Sequence, residues 1–364
     1  MSTLSFRELP RLCLSGYGPF IENLPDLVAP FPDISSKAYE HPADRAATAA
    51  LKALPGLDSV VRKVIEWGYE RALRQAYFAN SVKVGPEQLP DLWAGHTAVC
   101  RILDMPEVYD LYVAWGVAGA AQAIGAGKPM VVMDSSLVTR LGPGEQRVVL
   151  GHEIGHILSD HVLYMTVLNV LLSVTTASMS PLGLPLRAVR SVLLEWYRAA
   201  ELSCDRASVL VVRDPRIVCR TLMVLGAGLP AEKLNVDAFI AQAMEYERWD
   251  DSRDRARRLF AELGRTHPYA VRRVSELTKW IQSGEYDRIA RGDYRRRGSE
   301  DTVREDANAA MNFYAQRFRQ IFDEAGENIA HAGSQLGGVA DQVADWLRGR
   351  GAQSPEGKDV PGDG

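Results

Sequence analysis

The chain has 364 residues, 46% of them hydrophobic and 24% charged, with 42 basic and 46 acidic side chains and a formal net charge of -4. These proportions suit a globular chain of one large or two modest domains and exclude collagenous, fibrous and wholly disordered classes. Without a basic excess, a general nucleic-acid binder is also set aside.

Residues 1 to about 40 are rich in Pro and Gly and lack a clear period, so they are expected to cover the body of the protein in extended pieces. Glu8 and Arg11 interrupt the N-terminus and leave no apolar run of secretory length, so export by signal peptide is not expected. Cys13, Cys100, Cys204 and Cys219 form no C-x-x-C pair, which points to reduced, buried thiols and a cytoplasmic location.

From Ala43 to about Asn80, apolar positions at helical spacing predict two helices separated by Pro55-Gly56, and a short helix follows Gln88. VYDLYVAWG and PMVVMD read as strands bounded by Gly and Pro, with the small, flexible VAGAAQAIGAGK between them. Gly142-Pro143-Gly144 opens a long helix, with Glu145 placed to favour its dipole. Val162 to Leu186 carries no charge. Asn169, Pro181, Gly183 and Pro185 dilute it, so it reads as a core helix plus loop, with membrane contact through 162–186 as the alternative. A further long helix spans about Arg187 to Arg213, and others fall near 216–227, 237–263, 268–282 and 302–324. The charge-rich stretch 245–305 reads as a solvated face.

The chemistry concentrates in RVVLGHEIGHILSDH. His152 and His156 stand four apart, so a helix puts both imidazoles on one face, spaced to share one zinc ion. Glu153 lies one step round and can act as a general base toward water. On an unbroken helix His161 would point about 180° from His152, as a surface residue or a support for a ligand. In WYRAAELSCDRASVLVV, Glu201 and Asp205 share a face of an apolar helix, where carboxylates need a cation or donors. Glu201 is the best third ligand, and Asp205 could accept the outer N–H of a liganding His. The plainer alternative pairs these acids with Arg198 and Arg206. His267-Pro268 alone could simply begin a helix.

His-Glu-x-x-His, then Glu201-x-x-x-Asp205, then Thr266-His267-Pro268-x-x-x-x-Arg273 resembles the HtpX-like, CaaX-prenyl-protease-type zinc metallopeptidases, a gluzincin family. The resemblance covers about residues 90 to 282. It implies one zinc held by His152, His156 and Glu201, with Glu153 as general base and proton shuttle. Asp205 would orient a ligand histidine, with Arg273 beside it, and His267 would stabilise the oxyanion or position substrate. Gln122, Ala123 and Ile124 fall in that family's substrate-binding edge strand, which usually carries Asn where Gln122 or its neighbour stands. The pair of N-terminal transmembrane helices found in membrane members is missing here, which puts intramembrane processing in doubt. Tyr39-Glu40-His41-Pro42-Ala43-Asp44-Arg45 is distinctive but has no role at this level.

The expected fold is therefore α+β and mainly helical, a zincin-like domain with a small mixed or antiparallel sheet beside the active helix. The expected organisation is an N-terminal arm and helical segment (1–90), a catalytic domain (91–282), a charged helical extension (283–348) and a disordered tail (349–364). The expected activity is zinc-dependent endoproteolysis of protein or peptide substrates, without nucleic-acid partners and with the oligomeric state open. The rival class is a non-catalytic module with a structural zinc, which would need no base at Glu153.

Overall fold

The structure, a computed structural model, describes residues 28–52, 61, 69–117, 121–125, 127–175, 183–248 and 266–299. The expected helix at 302–324, the terminal tail and residues 1–27 of the arm lie outside the described residues.

A four-stranded mixed sheet carries one side of the site. β1 (Val82–Lys83) runs antiparallel to β2 (Asp110–Ala114), β2 runs parallel to β4 (Met130–Asp134), and β3 (Ala121–Ile124) closes the order β1-β2-β4-β3 as an antiparallel edge. All five residues of β4 are buried, as expected of a strand covered on both faces. The Ala- and Gly-rich link between the two expected strands is thus itself partly a strand, because its alternate backbone groups pair with β4 from Ala121↔Met133 to Ile124↔Met130.

The helices in chain order are α1 (Pro42–Lys52), α2 (Tyr69–Asn80), α3 (Pro90–Ile102), α4 (Ser135–Arg140), α5 (Pro143–Leu158), α6 (Val162–Thr175), α7 (Gly183–Val212), α8 (Pro215–Ala227), α9 (Val236–Arg248), α10 (Ala270–Gln282) and α11 (Glu285–Ala290). The helix after Gln88 is longer than expected, because Pro90 at its first turn is followed by a buried face of Leu92, His96, Val99 and Cys100.

α5 is buried nearly all round, from Gly144 to Ile157, so it is the central helix of the core. Its start is fixed by Pro143 and by Glu145, whose carboxylate accepts from the Gly142 N–H at 2.9 Å. α5 packs along α7 with Gly151 against Ser208 and Val211, and Gly155 against Cys204 and Ala207. Two glycines four residues apart form a smooth strip that lets the helices come close, and this draws the His152 and His156 face toward Glu201.

Among the described residues no helix is long and apolar enough to cross a membrane. α6, the first part of the charge-free stretch, instead buries Val162, Met165, Val167 and Leu168. The described end of the arm is core rather than surface wrapping: Phe31, Ile34 and Tyr39 are buried, and the Phe31 N–H donates to the Ile102 carbonyl at 2.9 Å.

Candidate active site

α5 and α7 bring three polar side chains to one point. His152 Nε2 and His156 Nε2 are 3.2 Å apart, His156 Nε2 is 3.2 Å from Glu201 Oε1, and His152 Nε2 is 3.3 Å from Glu201 Oε2. A tetrahedral cation with ligands at ~2.0–2.1 Å needs them about 3.3 Å apart, so this donor set fits a zinc-sized ion. Glu201 is fully buried, and its Oε2 makes no hydrogen bond despite its close neighbours. Arg273 Nη1 at 3.2 Å and His152 Nε2 at 3.3 Å supply its counter-charge, and a shared cation would add a direct ligand bond. A second grouping of His152, His156 and Cys204 has ligand atoms within 4.8 Å of one another. Cys204 Sγ lies 3.9 Å from His161 Nδ1, the atom facing His156 Nδ1, whereas Glu201 meets the Nε2 side, so the carboxylate set is the better fit.

Glu153 follows His152 on α5 and turns toward β3, where the Ala123 backbone N–H stands near enough to favour its ionised form. Burial raises its carboxyl to about 7, with His152 pulling against this and Glu201 adding to it. Its Oε2 has no hydrogen-bond partner. Together with Ala121, Leu137, Leu222, Leu225 and His267, Glu153 lines a cleft that also exposes His152 and Glu201.

The acids of α7 are held by a buried guanidinium from α10. Arg273 donates from Nε to Asp205 Oδ2 at 2.8 Å, and its Nη1 lies 3.2 Å from Glu201 Oε2. Asp205 Oδ1 lies 3.3 Å from His152 Nδ1, on the side of the ring opposite the convergence point. Burial opposes the ionisation of Glu201, but His267, His152 and Arg273 outweigh it and hold its carboxyl well below the usual range. Burial likewise opposes a charge on His152, but Glu201 and Asp205 lift its imidazole to about 10. His156, under the same burial, falls to about 3.

Arg198 and Arg206 find partners elsewhere. Arg198 pairs with Glu195 at 2.6 Å, and Arg206 donates to the carbonyls of Tyr39 and Glu40. Arg273 departs from the solvated reading of 245–305, because it is turned inward from an otherwise amphipathic α10 to neutralise two buried acids.

His267 lies at the rim, its side chain 31% exposed, with Nε2 3.7 Å from Glu201 Oε2 and 3.4 Å from the Tyr197 hydroxyl. Gln122 reaches sideways, donating to the Tyr77 hydroxyl at 3.3 Å and accepting from Asn169 at 3.2 Å, while Ala123 and Ile124 are buried.

His161 is not at the surface. α5 stops at Leu158, Asp160 turns the chain at φ 56°, and the His161 ring comes back to 3.1 Å from His156 Nδ1. The projection from an unbroken helix fails because the helix breaks. Sequence reasoning also missed Tyr197, whose ring stacks on His156 with centroids 5.8 Å apart. Its position four residues before Glu201, on the same face, was the available signal.

Residues 103–281 match the family model described as Peptidase family M48. The chain is 34% identical over 274 residues to the plastoglobule-localized metallopeptidase 48, chloroplastic, of Arabidopsis thaliana, an alignment covering 74% of this chain and 78% of that protein. No solved structure gives a significant match. With that identity over that coverage, the chain belongs to peptidase family M48, the metallopeptidase family whose His-Glu-x-x-His helix it carries as α5.

Proposed function

We propose that the protein is a zinc-dependent endopeptidase in which His152, His156 and Glu201 hold one zinc ion. The observation that carries this is the meeting of two Nε2 atoms and one carboxylate at 3.2–3.3 Å, with the Glu153 carboxylate beside them in the cleft. When bound, zinc supplies Lewis-acid polarisation of the scissile carbonyl and lowers the pKa of the attacking water toward ~7. Glu153 accepts the proton of that water and later passes it to the leaving amine. Burial strengthens it as a base by raising its carboxyl above the ordinary value.

The remaining groups orient and neutralise. Asp205 accepts from Nδ1–H of His152, which leaves the Nε2 lone pair facing inward. Arg273 keeps Asp205 and Glu201 ionised. His267, close to Glu201 and open to the cleft, is the group for the developing oxyanion or for substrate positioning.

The β3 edge is the surface for an extended substrate backbone. The Gly125 N–H is engaged by Thr166 and Glu153 stands against Ala123, so pairing falls on Ala121, in the wall of the cleft. This favours unfolded or extended protein segments and is compatible with a quality-control role. The free buried thiols of Cys100, Cys204 and Cys219 suit a reducing compartment such as the cytoplasm.

Metal analysis of the purified protein, run beside casein digestion with and without chelator, tests the proposal. One zinc per chain, with activity lost on chelation and restored by zinc, is expected. Chelator-insensitive digestion or absence of bound metal would refute it.

A further inference from the structure

We infer that Asp44 and His161 are positioning residues for the metal site, acting through His156; the inference rests on the zinc reading above. His156 is fully buried, and its two ring nitrogens face opposite ways. Nε2 faces His152 and Glu201, whereas Nδ1 lies 3.1 Å from Nδ1 of His161. His161 Nε2 in turn lies 3.2 Å from Asp44 Oδ2.

These contacts admit one consistent set of protons. If His156 offers its Nε2 lone pair to a metal, its proton sits on Nδ1 and is donated to His161 Nδ1. His161 must then accept there and carry its own proton on Nε2, pointing at the Asp44 carboxylate. The carboxylate terminates the chain because nothing else along it can accept twice. Asp44 Oδ2 also accepts from the Ser203 hydroxyl at 2.6 Å, and Oδ1 accepts from the Thr48 hydroxyl at 3.1 Å. Ser203 is fixed in its turn, since its Oγ accepts from the His41 N–H at 2.9 Å. Cys204 Sγ, 3.9 Å from His161 Nδ1, is the longer contact.

The arrangement gives Tyr39 to Arg45 a purpose. Asp44 enters from α1, far from the zinc motif in sequence, yet it is buried against α7 behind the second histidine. His152 and His156 thus each have a carboxylate behind them, Asp205 directly and Asp44 through His161. Groups that fix the tautomer and ring orientation of a ligand histidine typically account for 10- to 100-fold in metal affinity.

The test is zinc competition with a chromophoric chelator on the full chain, comparing wild type with Asp44→Asn and His161→Phe. Zinc affinity should fall about 10- to 100-fold in both. The rise in Tm on zinc loading should shrink more than the Tm of the metal-free protein falls. A merely structural role would instead lower metal-free and metal-loaded Tm alike. Affinities within twofold of wild type in both variants overturn the inference. Should the variants not fold, imidazole nitrogen NMR of zinc-loaded wild type decides. Protons on His156 Nδ1 and His161 Nε2 support the relay, and a proton on His161 Nδ1 overturns it. Wild type that binds no zinc refutes the zinc reading itself, whereas wild type that binds zinc beside equally tight variants refutes only this relay.

Discussion

Gly155 crosses Ala207 so closely that a β-carbon placed on Gly155 would lie 2.8 Å from the Ala207 methyl carbon. Neither group has a flexible end that could swing aside, so the α5–α7 separation depends on this glycine. That separation also sets the distance from His156 to Glu201. Gly155→Ala is expected to cost about 1–3 kcal/mol, as overpacking in a close-packed core does. It should also reduce zinc content, because the two helices would carry their ligands apart. Calorimetry and metal stoichiometry on one preparation check this, and full zinc with an unchanged Tm would show that the helices absorb the methyl.

Glu153→Gln separates binding from chemistry. The amide keeps the size and shape of the side chain, so fold and metal content should hold. It cannot take a proton from water, so turnover of an unfolded substrate should fall by about 10²–10⁴. Wild-type turnover in a zinc-loaded variant would remove Glu153 from the mechanism.

Much of the site was legible in the sequence because helical spacing is local. His152, His156, Glu201 and Asp205 each occur as i, i+4 pairs, and the structure puts each pair on one inward face. β3 was harder to read from its residues alone, since Ala-Gln-Ala-Ile has little strand preference and is strand only through its ladder with β4. His161 could be read only as either a surface residue or a support for a ligand, and Asp44 was not legible at all. One depends on where α5 breaks, at Asp160, and the other on a contact between residues more than a hundred positions apart.

Arg273 holds Asp205 and Glu201 from one guanidinium, all three side chains being buried. Arg273→Met should destabilise the metal-free protein by about 3–5 kcal/mol, because two buried carboxylates lose their counter-charge. Arg273→Lys should recover little, since a single ammonium cannot reproduce the fork that spans both acids. Denaturant unfolding gives both values, and a lysine variant of wild-type stability would contradict the argument.

His41 makes stability depend on pH in a defined window. It is buried, and burial, with Arg206 and Arg272 adding to it and Glu276 opposing it, lowers its imidazole from 6.5 to about 4. Between pH 4 and 6.5 the unfolded chain therefore binds a proton that the folded chain does not. Stability rises with pH wherever the unfolded state holds more protons. His41 should accordingly favour unfolding as pH falls from about 6.5 toward 4, with a slope approaching 1.4 kcal/mol per pH unit inside the window. The Glu276 carboxylate, 3.2 Å from His41 Nε2, is lowered to about 2 against its own burial by that histidine and by Lys279. Its contribution is present above about 4.5 and is lost as pH falls toward 2, so it adds little to the upper half of the window. His41→Asn should flatten the dependence of unfolding free energy between pH 6.5 and 4.5, even though it lowers stability at pH 7 by removing the Glu276 contact. Unfolding titrations at half-unit steps on metal-free protein measure the slope. An asparagine variant that loses stability on acidification as steeply as wild type would assign the effect to another group.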